Sequence, residues 1–268
     1  MLLQFQRLAL SWHAMRNGRG RAVSLKRDGE VLRVHDGVRQ LCVPHLSWVP
    51  RFRSGIGAEI EAVAAKYVGA TGYVPREGDV VVDIGAGIGE FALWCSDAGA
   101  SVVAFEPDPL AFACLERNIP ARADVTSLPY ALWKERVNLR LHGSVDTTES
   151  SLIEDGKAKL RIADVEAWPL DQVPEVISLP VIDFLKLDGE GVEPEILAGG
   201  MRTLRRTRII AVDVSATAKR PNLATRVEAL LDSLSFKPLL HDRTDSILAL
   251  NTAMVGPFNS RAAGRPGS

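Results

Sequence analysis

Two stretches hold the residues whose types and spacing could do chemistry. The first is Val80-Val81-Val82-Asp83-Ile84-Gly85-Ala86-Gly87-Ile88-Gly89-Glu90-Phe91. β-branched residues lead through one acid into three alternating glycines, and an apolar helix, Phe91 to Cys95, follows at once. Such a valine run has the composition of a strand buried on both faces of a parallel sheet. A strand that turns sharply into a helix needs glycine where φ is positive and where a ligand must approach the backbone. The helix N-terminus then presents unpaired N–H groups to the turn. The second stretch is Val181-Ile182-Asp183-Phe184-Leu185-Lys186-Leu187-Asp188-Gly189-Glu190-Gly191-Val192-Glu193. Here a buried strand ends in Asp188, with two more carboxylates within five residues and two glycines to expose the backbone.

The glycine spacing separates the known ligand loops. A dinucleotide loop reads G-x-G-x-x-G, whereas this one reads G-x-G-x-G with Glu90 at the third dinucleotide position. No Lys-Ser/Thr follows, so the phosphate-cradling loop is absent. One βα unit downstream, Ser101 to Asp108 reads as a second strand ending in Glu106-Pro107. An acid there, about twenty residues past the glycine loop, accepts hydrogen bonds from ribose hydroxyls. The plain alternatives are a simple connecting turn and a helix N-terminal acid, and the register of Glu106 with the loop argues against both. D-x-G-x-G-x-G after a valine strand resembles the first motif of class I S-adenosylmethionine-dependent methyltransferases. That likeness implies S-adenosyl-L-methionine as cofactor, held by Asp83, Gly85, Ala86, Gly87 and Gly89, with Glu106 and Pro107 at the ribose. Ala131 and Leu132 then lie where an adenine ring would be flanked. The donor's ammonium is one that a strand-end carboxylate such as Asp83 can approach.

The elements that must position these residues follow from the rest of the chain. Its 268 residues suffice for one α/β domain with a large core plus an N-terminal extension. With 32 Lys+Arg against 33 Asp+Glu, no global field draws it to nucleic acid or anionic membrane. Cys42, Cys95 and Cys114 lack paired spacing, and Cys95 and Cys114, on apolar helix positions, read as core residues of a reducing compartment. With no membrane-length apolar run and no secretory signal pattern, a cytoplasmic location is expected.

Residues 1–17 carry an apolar helical stripe with Arg16, Arg19 and Arg21 behind it. It packs on its own domain or makes weak peripheral contact with a membrane. Turns at Asp28-Gly29 and Asp36-Gly37 predict a small antiparallel meander. His45, Trp48, Arg51 and Arg53 form a stretch rich in aromatic and cationic groups that could reach substrate, with a surface loop as the safer reading. A helix is expected over 58–68, and after Glu106 a helix from Leu110, a strand over 125–130 and alternating strands at Val137–Leu141 and Leu160–Val165. Gly143 to Asp155 is a polar loop, a candidate lid. A helix over 195–204, a strand over 209–214, a helix over 223–234 and a final strand pair complete the alternation. The fold class is therefore α/β: a Rossmann-like, mostly parallel twisted sheet with helices on both faces, its final strand antiparallel. The expected division is an extension over 1–57, the main domain over 58–255 and a disordered tail over 256–268. The cluster Arg202, Arg205, Arg206 and Arg208 has an ordinary role at helix C-termini, and nucleic acid is not an expected partner.

The pattern as a whole resembles the FkbM-type methyltransferase family. The matching pieces are Val82 to Gly89, Ala104-Phe105-Glu106-Pro107, Asn118-Ile119, Ala131-Leu132, Leu170-Asp171, Ile182 to Glu193 and Glu195 to Gly200. They span roughly residues 60–215, and Lys-x-Asp-x-Glu-Gly-x-Glu is the most specific part. Gly189 departs from the family's small aliphatic residue, and Asp213 stands where Glu is common. The resemblance implies O-methylation of a hydroxyl on a sugar, polyketide or other secondary metabolite, so the partner is a small-molecule or glycan acceptor. Methyltransfer to RNA or protein is the second reading and an NAD-binding oxidoreductase the last. In-line displacement gains most from alignment, and a neutral alcohol gains from a base. Asp188 is the best-placed base, Glu190 its understudy, and Lys186 would orient either. A Mg²⁺ between Asp188 and Asp213 is an alternative that nothing in the spacing demands, and no metal is assigned.

Overall fold

The structure, a computed structural model, describes residues 23–119, 124–143, 150–152, 160–215, 220–239 and 245–254. The expected N-terminal helix, the tail and most of the Gly143–Asp155 loop lie outside these residues. From Val23 the chain forms an antiparallel meander of β1 (Ser24–Asp28), β2 (Val31–His35) and β3 (Gln40–Val43), with the turns at Asp28-Gly29 and Asp36-Gly37 as expected. Gly29 and Gly37 take φ of 65° and 91° there, which suits glycine and few other residues. Leu46–Ser54 is not a surface loop but a 3₁₀ helix that buries Trp48, Val49 and Phe52. Its apolar side faces the core, and α1 (Ile56–Val68) follows directly.

The main domain alternates strand and helix: β4 (Val80–Ile84), α2 (Glu90–Asp97), β5 (Ser101–Phe105), α3 (Pro109–Asn118) and β6 (Val125–Leu128). It continues with β7 (Ala131–Leu132), β8 (Val137–Gly143), β9 (Ser150–Ser151), β10 (Leu160–Trp168) and α4 (Pro174–Ile177). Last come β11 (Ile182–Leu187), α5 (Glu193–Gly199), α6 (Met201–Leu204), β12 (Thr207–Asp213), α7 (Leu223–Ser233), β13 (Phe236–Pro238) and β14 (Ser246–Asn251). The seven-stranded sheet runs β13-β14-β12-β11-β4-β5-β6. Its strands are parallel except for β14, which is antiparallel to both neighbours. The chain moves outward from β4 to β6, then restarts beside β4 at β11. That reversal opens a crevice at the carboxyl ends of β4 and β11.

Period-2 alternation buries both faces of the sheet. Val81, Val102 and Phe184 join the core under the meander, α1 and α2, whereas Val82, Val103, Leu185 and Ile210 join the core under α5 and α7. The strands expected at Val137 and Leu160 form, and they pair with β7 and β9 in a separate four-stranded sheet, β7-β10-β8-β9. Its own small core is Ala131, Leu141, Val165 and Ala167. One expectation needs correction. The helix expected over 195–204 breaks at Gly199-Gly200. A Cβ on Gly199 would lie 2.2 Å from the Trp133 carbonyl oxygen, so the chain yields there to a crossing backbone. Among the described residues, no helix is long and apolar enough to cross a membrane.

Asn118, the last residue of α3, fastens the meander to the domain. Its Oδ1 accepts from the Cys42 N–H (2.6 Å), and its Nδ2 donates to the carbonyls of Cys42 and Ile88 (both 2.9 Å), all in buried surroundings. Losing it removes the partner of one buried N–H and of two buried carbonyls. Asn118→Ala should therefore cost about 1–3 kcal/mol in urea unfolding, and a change below about 0.5 kcal/mol would show that the meander is held by its apolar contacts alone.

Candidate active site

The crevice is a cleft of about 510 Å³, within the usual range for a small-molecule site. Its floor is the β4–α2 loop, where Gly85, Gly87 and Gly89 take φ of 73°, 58° and 96°. The Gly85 and Ala86 N–H groups both donate to the Phe105 carbonyl, at 3.0 and 2.9 Å, which turns the loop over the end of β5. A Cβ on Gly85 would fall 2.0 Å from the Asp188 carbonyl oxygen. The two chemically promising stretches therefore meet backbone to backbone, and no larger residue fits between them.

Glu106 stands at the end of β5, 7% exposed. Its Oε2 accepts from the Gly87 N–H (2.7 Å) and its Oε1 from the Asp108 N–H (2.8 Å). Each oxygen keeps capacity for one further donor, the arrangement that a ribose diol requires. Helix capping falls instead to Asp108, whose carboxylate accepts from Leu110 and Ala111 ahead of Pro109 at the start of α3. Pro107, Ala131 and Leu132 line the same wall as Glu106. Gly85, Ala86, Gly87, Glu106, Pro107, Ala131 and Leu132 thus share one cleft with Lys186, Asp188 and Glu190.

Three expected site residues act differently. Asp83 is sealed from solvent and cannot meet a ligand's ammonium; its Oδ1 accepts from Lys186 Nζ at 2.9 Å. The two sit directly opposite each other on β4 and β11. Lys186 Nζ also donates to the carbonyls of Gly85 (2.7 Å) and Ile84 (3.3 Å). Its donors hold the glycine loop, so it does not orient Asp188 or Glu190. Burial opposes its charge, but Asp83 and the other carboxylates nearby outweigh that and raise its pKa. Gly89 is demanded by packing, since a Cβ there would come 2.7 Å from Leu115.

Of the three carboxylates after β11, Asp188 and Glu190 line the cleft, Glu190 with a left-handed φ of 52°. Glu193 turns back into its own loop, where its Oε1 accepts from the Gly189 and Gly191 N–H groups at 3.0 Å each. The Tyr67 hydroxyl donates to Asp188 Oδ2 (2.5 Å), and Lys66 Nζ lies 3.7 Å from the same oxygen. Lys66 also pairs with Asp213. A lysine ammonium therefore occupies the place between the two strand-end acids where a metal was weighed.

One wall of the cleft comes from the stretch expected as a surface loop, whose alternative is reach toward substrate. His45, Trp48 and Arg51 line it, as do Lys66 and Tyr67 of α1. Arg51 reaches Glu59 (2.8 Å) and the buried Glu90 (3.0 Å), with its guanidinium 4.8 Å from the Trp48 ring centroid. The bulky apolar residues among the cations, Trp48 and Phe52, were the available signal, since a solvated loop has no use for them.

Burial raises the pKa of Glu106 to about 8 and of Glu193 to about 7, against 4.5 for an ordinary glutamate, although backbone hydrogen bonds work the other way. In this window the native protein holds protons that the unfolded chain has released. The stabilising contribution is complete below about pH 4.5 and is lost as pH rises toward 7–8. Denaturant melts should show a decline on the order of 1–3 kcal/mol over that range, and a smaller one in Glu193→Gln. An identical decline in the variant would place the linkage elsewhere.

A family model described as the methyltransferase FkbM domain matches residues 83–238. The hexuronic acid methyltransferase AglP of Haloferax volcanii is 29% identical over 142 residues, covering 53% of this chain and 58% of that protein. The chain thus spans just over half the length of that relative. A solved structure of a methyltransferase FkbM from Methylobacillus flagellatus superposes with a TM-score of 0.51 at 16% identity, over 70% of this chain and 47% of that one. The sheet order, the loop that turns over β5 and a match reaching from Asp83 to Pro238 lead to one assignment: the chain belongs to the FkbM family of methyltransferases, on the Rossmann-like class I fold.

Proposed function

We propose that this methyltransferase, whose methyl donor is S-adenosyl-L-methionine, methylates a hydroxyl oxygen of a sugar or other small-molecule acceptor, with Asp188 as the base. One observation carries the reading. Asp188 projects into the cleft from the end of β11, both of its polar contacts fall on Oδ2, and Oδ1 has no hydrogen-bond partner among the described residues. An acceptor hydroxyl at Oδ1 finds a proton acceptor beside the glycine loop. The relative whose name specifies hexuronic acid supports a sugar acceptor.

When bound, the donor supplies a methyl carbon on a sulfonium whose displacement leaves a neutral thioether. The chain's own residues do the rest. The open loop at Gly85–Gly87 admits the amino-acid end, the two oxygens of Glu106 take the ribose hydroxyls, and Ala131 and Leu132 flank the base. Asp188 aligns the acceptor and takes its proton. The basic cluster lends little to a nucleic-acid reading: Arg202 bonds Asp171, Arg206 the Val176 and Ile177 carbonyls, and Arg208 Asp183.

Calorimetry should detect S-adenosyl-L-methionine and not NAD. Glu106→Ala should weaken the donor by about 1–3 kcal/mol through lost hydrogen bonds to the ribose; NAD binding of comparable strength would overturn the site assignment. Mass spectrometry of products from a set of methyl hexosides and hexuronides identifies the acceptor. Asp188→Asn should keep donor affinity while turnover falls about a hundredfold or more. Collapse of donor binding in that variant would instead make Asp188 an anchor for the donor, and full turnover in it with none in Glu190→Gln would move the base to Glu190.

A further inference from the structure

The family match begins at Asp83, yet the group nearest Asp188 comes from before it, on α1. Tyr67 is 2% exposed, and its ring packs edge-on against Phe91 at 5.8 Å between centroids. Lys186 Nζ lies 4.9 Å and Lys66 Nζ 4.8 Å from the centroid of that ring. The ring therefore has little freedom, and its hydroxyl ends on one oxygen of Asp188. Burial first, and the Asp188 carboxylate second, push the phenol far above its ordinary range, so the contact stays a donated hydrogen bond at any working pH. Lys66 adds its ammonium to the same oxygen and ties it to Asp213 at the end of the adjacent strand.

Resting on the reading of Asp188 as base, we propose that Tyr67 is a positioning residue: it pins Oδ2 with support from Lys66, and so presents Oδ1 as the oxygen that takes the acceptor's proton. A carboxylate can turn about its last torsion, which is broad and roughly two-fold. The Tyr67 hydrogen bond and the Lys66 charge on one oxygen restrict that freedom and set the direction in which the other oxygen points, as an in-line reaction needs. The segment before the matched domain thereby completes the active site and does not merely cover it.

The test uses the full chain, S-adenosyl-L-methionine, and methyl hexosides and hexuronides as acceptors. Tyr67→Phe keeps the ring and its packing. It should lower kcat about tenfold while acceptor KM and donor Kd stay within about twofold. Combined with Asp188→Asn it should cost nothing more, because the group it positions is already gone. A rate unchanged in Tyr67→Phe, or the same tenfold loss persisting in the double variant, overturns the positioning role. Full activity in Asp188→Asn alone overturns the base assignment instead, so the two failures are distinct. A crystal structure of Tyr67→Phe with S-adenosylhomocysteine reads the proposal without any acceptor: the Asp188 carboxylate should be rotated or split relative to wild type, and an unmoved carboxylate would refute it.

Discussion

A buried ion pair beneath the glycine loop underlies the rest of the site. Asp83 and Lys186 face each other across β4 and β11, both almost wholly removed from water. Such a pair gains little net stability, because desolvation offsets its attraction, yet removing either partner strands a buried charge at a cost of about 3–5 kcal/mol. Its use is geometric. Lys186 directs its remaining donors to the Ile84 and Gly85 carbonyls, which fixes the point where β4 becomes a loop. That in turn sets Gly85 against the Asp188 backbone. The donor loop and the candidate base are therefore referenced to one lysine, and neither can shift without disturbing the other.

Around that fixed point the cleft divides by origin. Backbone and Glu106, from the sheet and its loops, form the wall suited to a nucleoside. The polar contacts of Asp188 come from α1, and the aromatic and cationic wall from the 3₁₀ helix before it. Asn118 links the two parts by binding Cys42 of the meander and Ile88 of the glycine loop together. A single side chain thus couples the docking of the N-terminal segment to the loop that carries the family signature.

Legibility from sequence followed the range of the interactions. The β4–α2 loop, Glu106 and the acids after β11 could be read because each depends on local order: a strand, a turn and a residue at its end. The face-to-face placement of Asp83 and Lys186 was also implicit, since each precedes the end of its strand by about the same number of residues. Their pairing is not legible, because local order does not name which cation across the sheet neutralises a buried acid. Tyr67 could not be read at all, for it contacts Asp188 across 121 positions and on its helix looks like any apolar stripe residue. The second sheet was hidden for a similar reason: alternation in β8 and β10 identifies strands but not their partners.

The charge pattern bears on the acceptor. Among the described residues the cleft is lined by Asp108, Asp188 and Glu190, by Glu90 and Glu106, whose protons burial holds more tightly, and by the cations Arg51, Lys66 and Lys186. Each of those cations already faces carboxylate: Arg51 faces Glu59 and Glu90, Lys66 faces Asp188 and Asp213, and Lys186 faces Asp83. The carboxylates of Asp188 and Glu190 in the cleft favour a sulfonium over the neutral thioether it becomes. Among the described residues the cations beside Asp188 already face carboxylates, which disfavours an anionic acceptor close to it. A hydroxyl brings no such charge, which accords with the proposed reading of Asp188 as the group that takes an acceptor hydroxyl's proton.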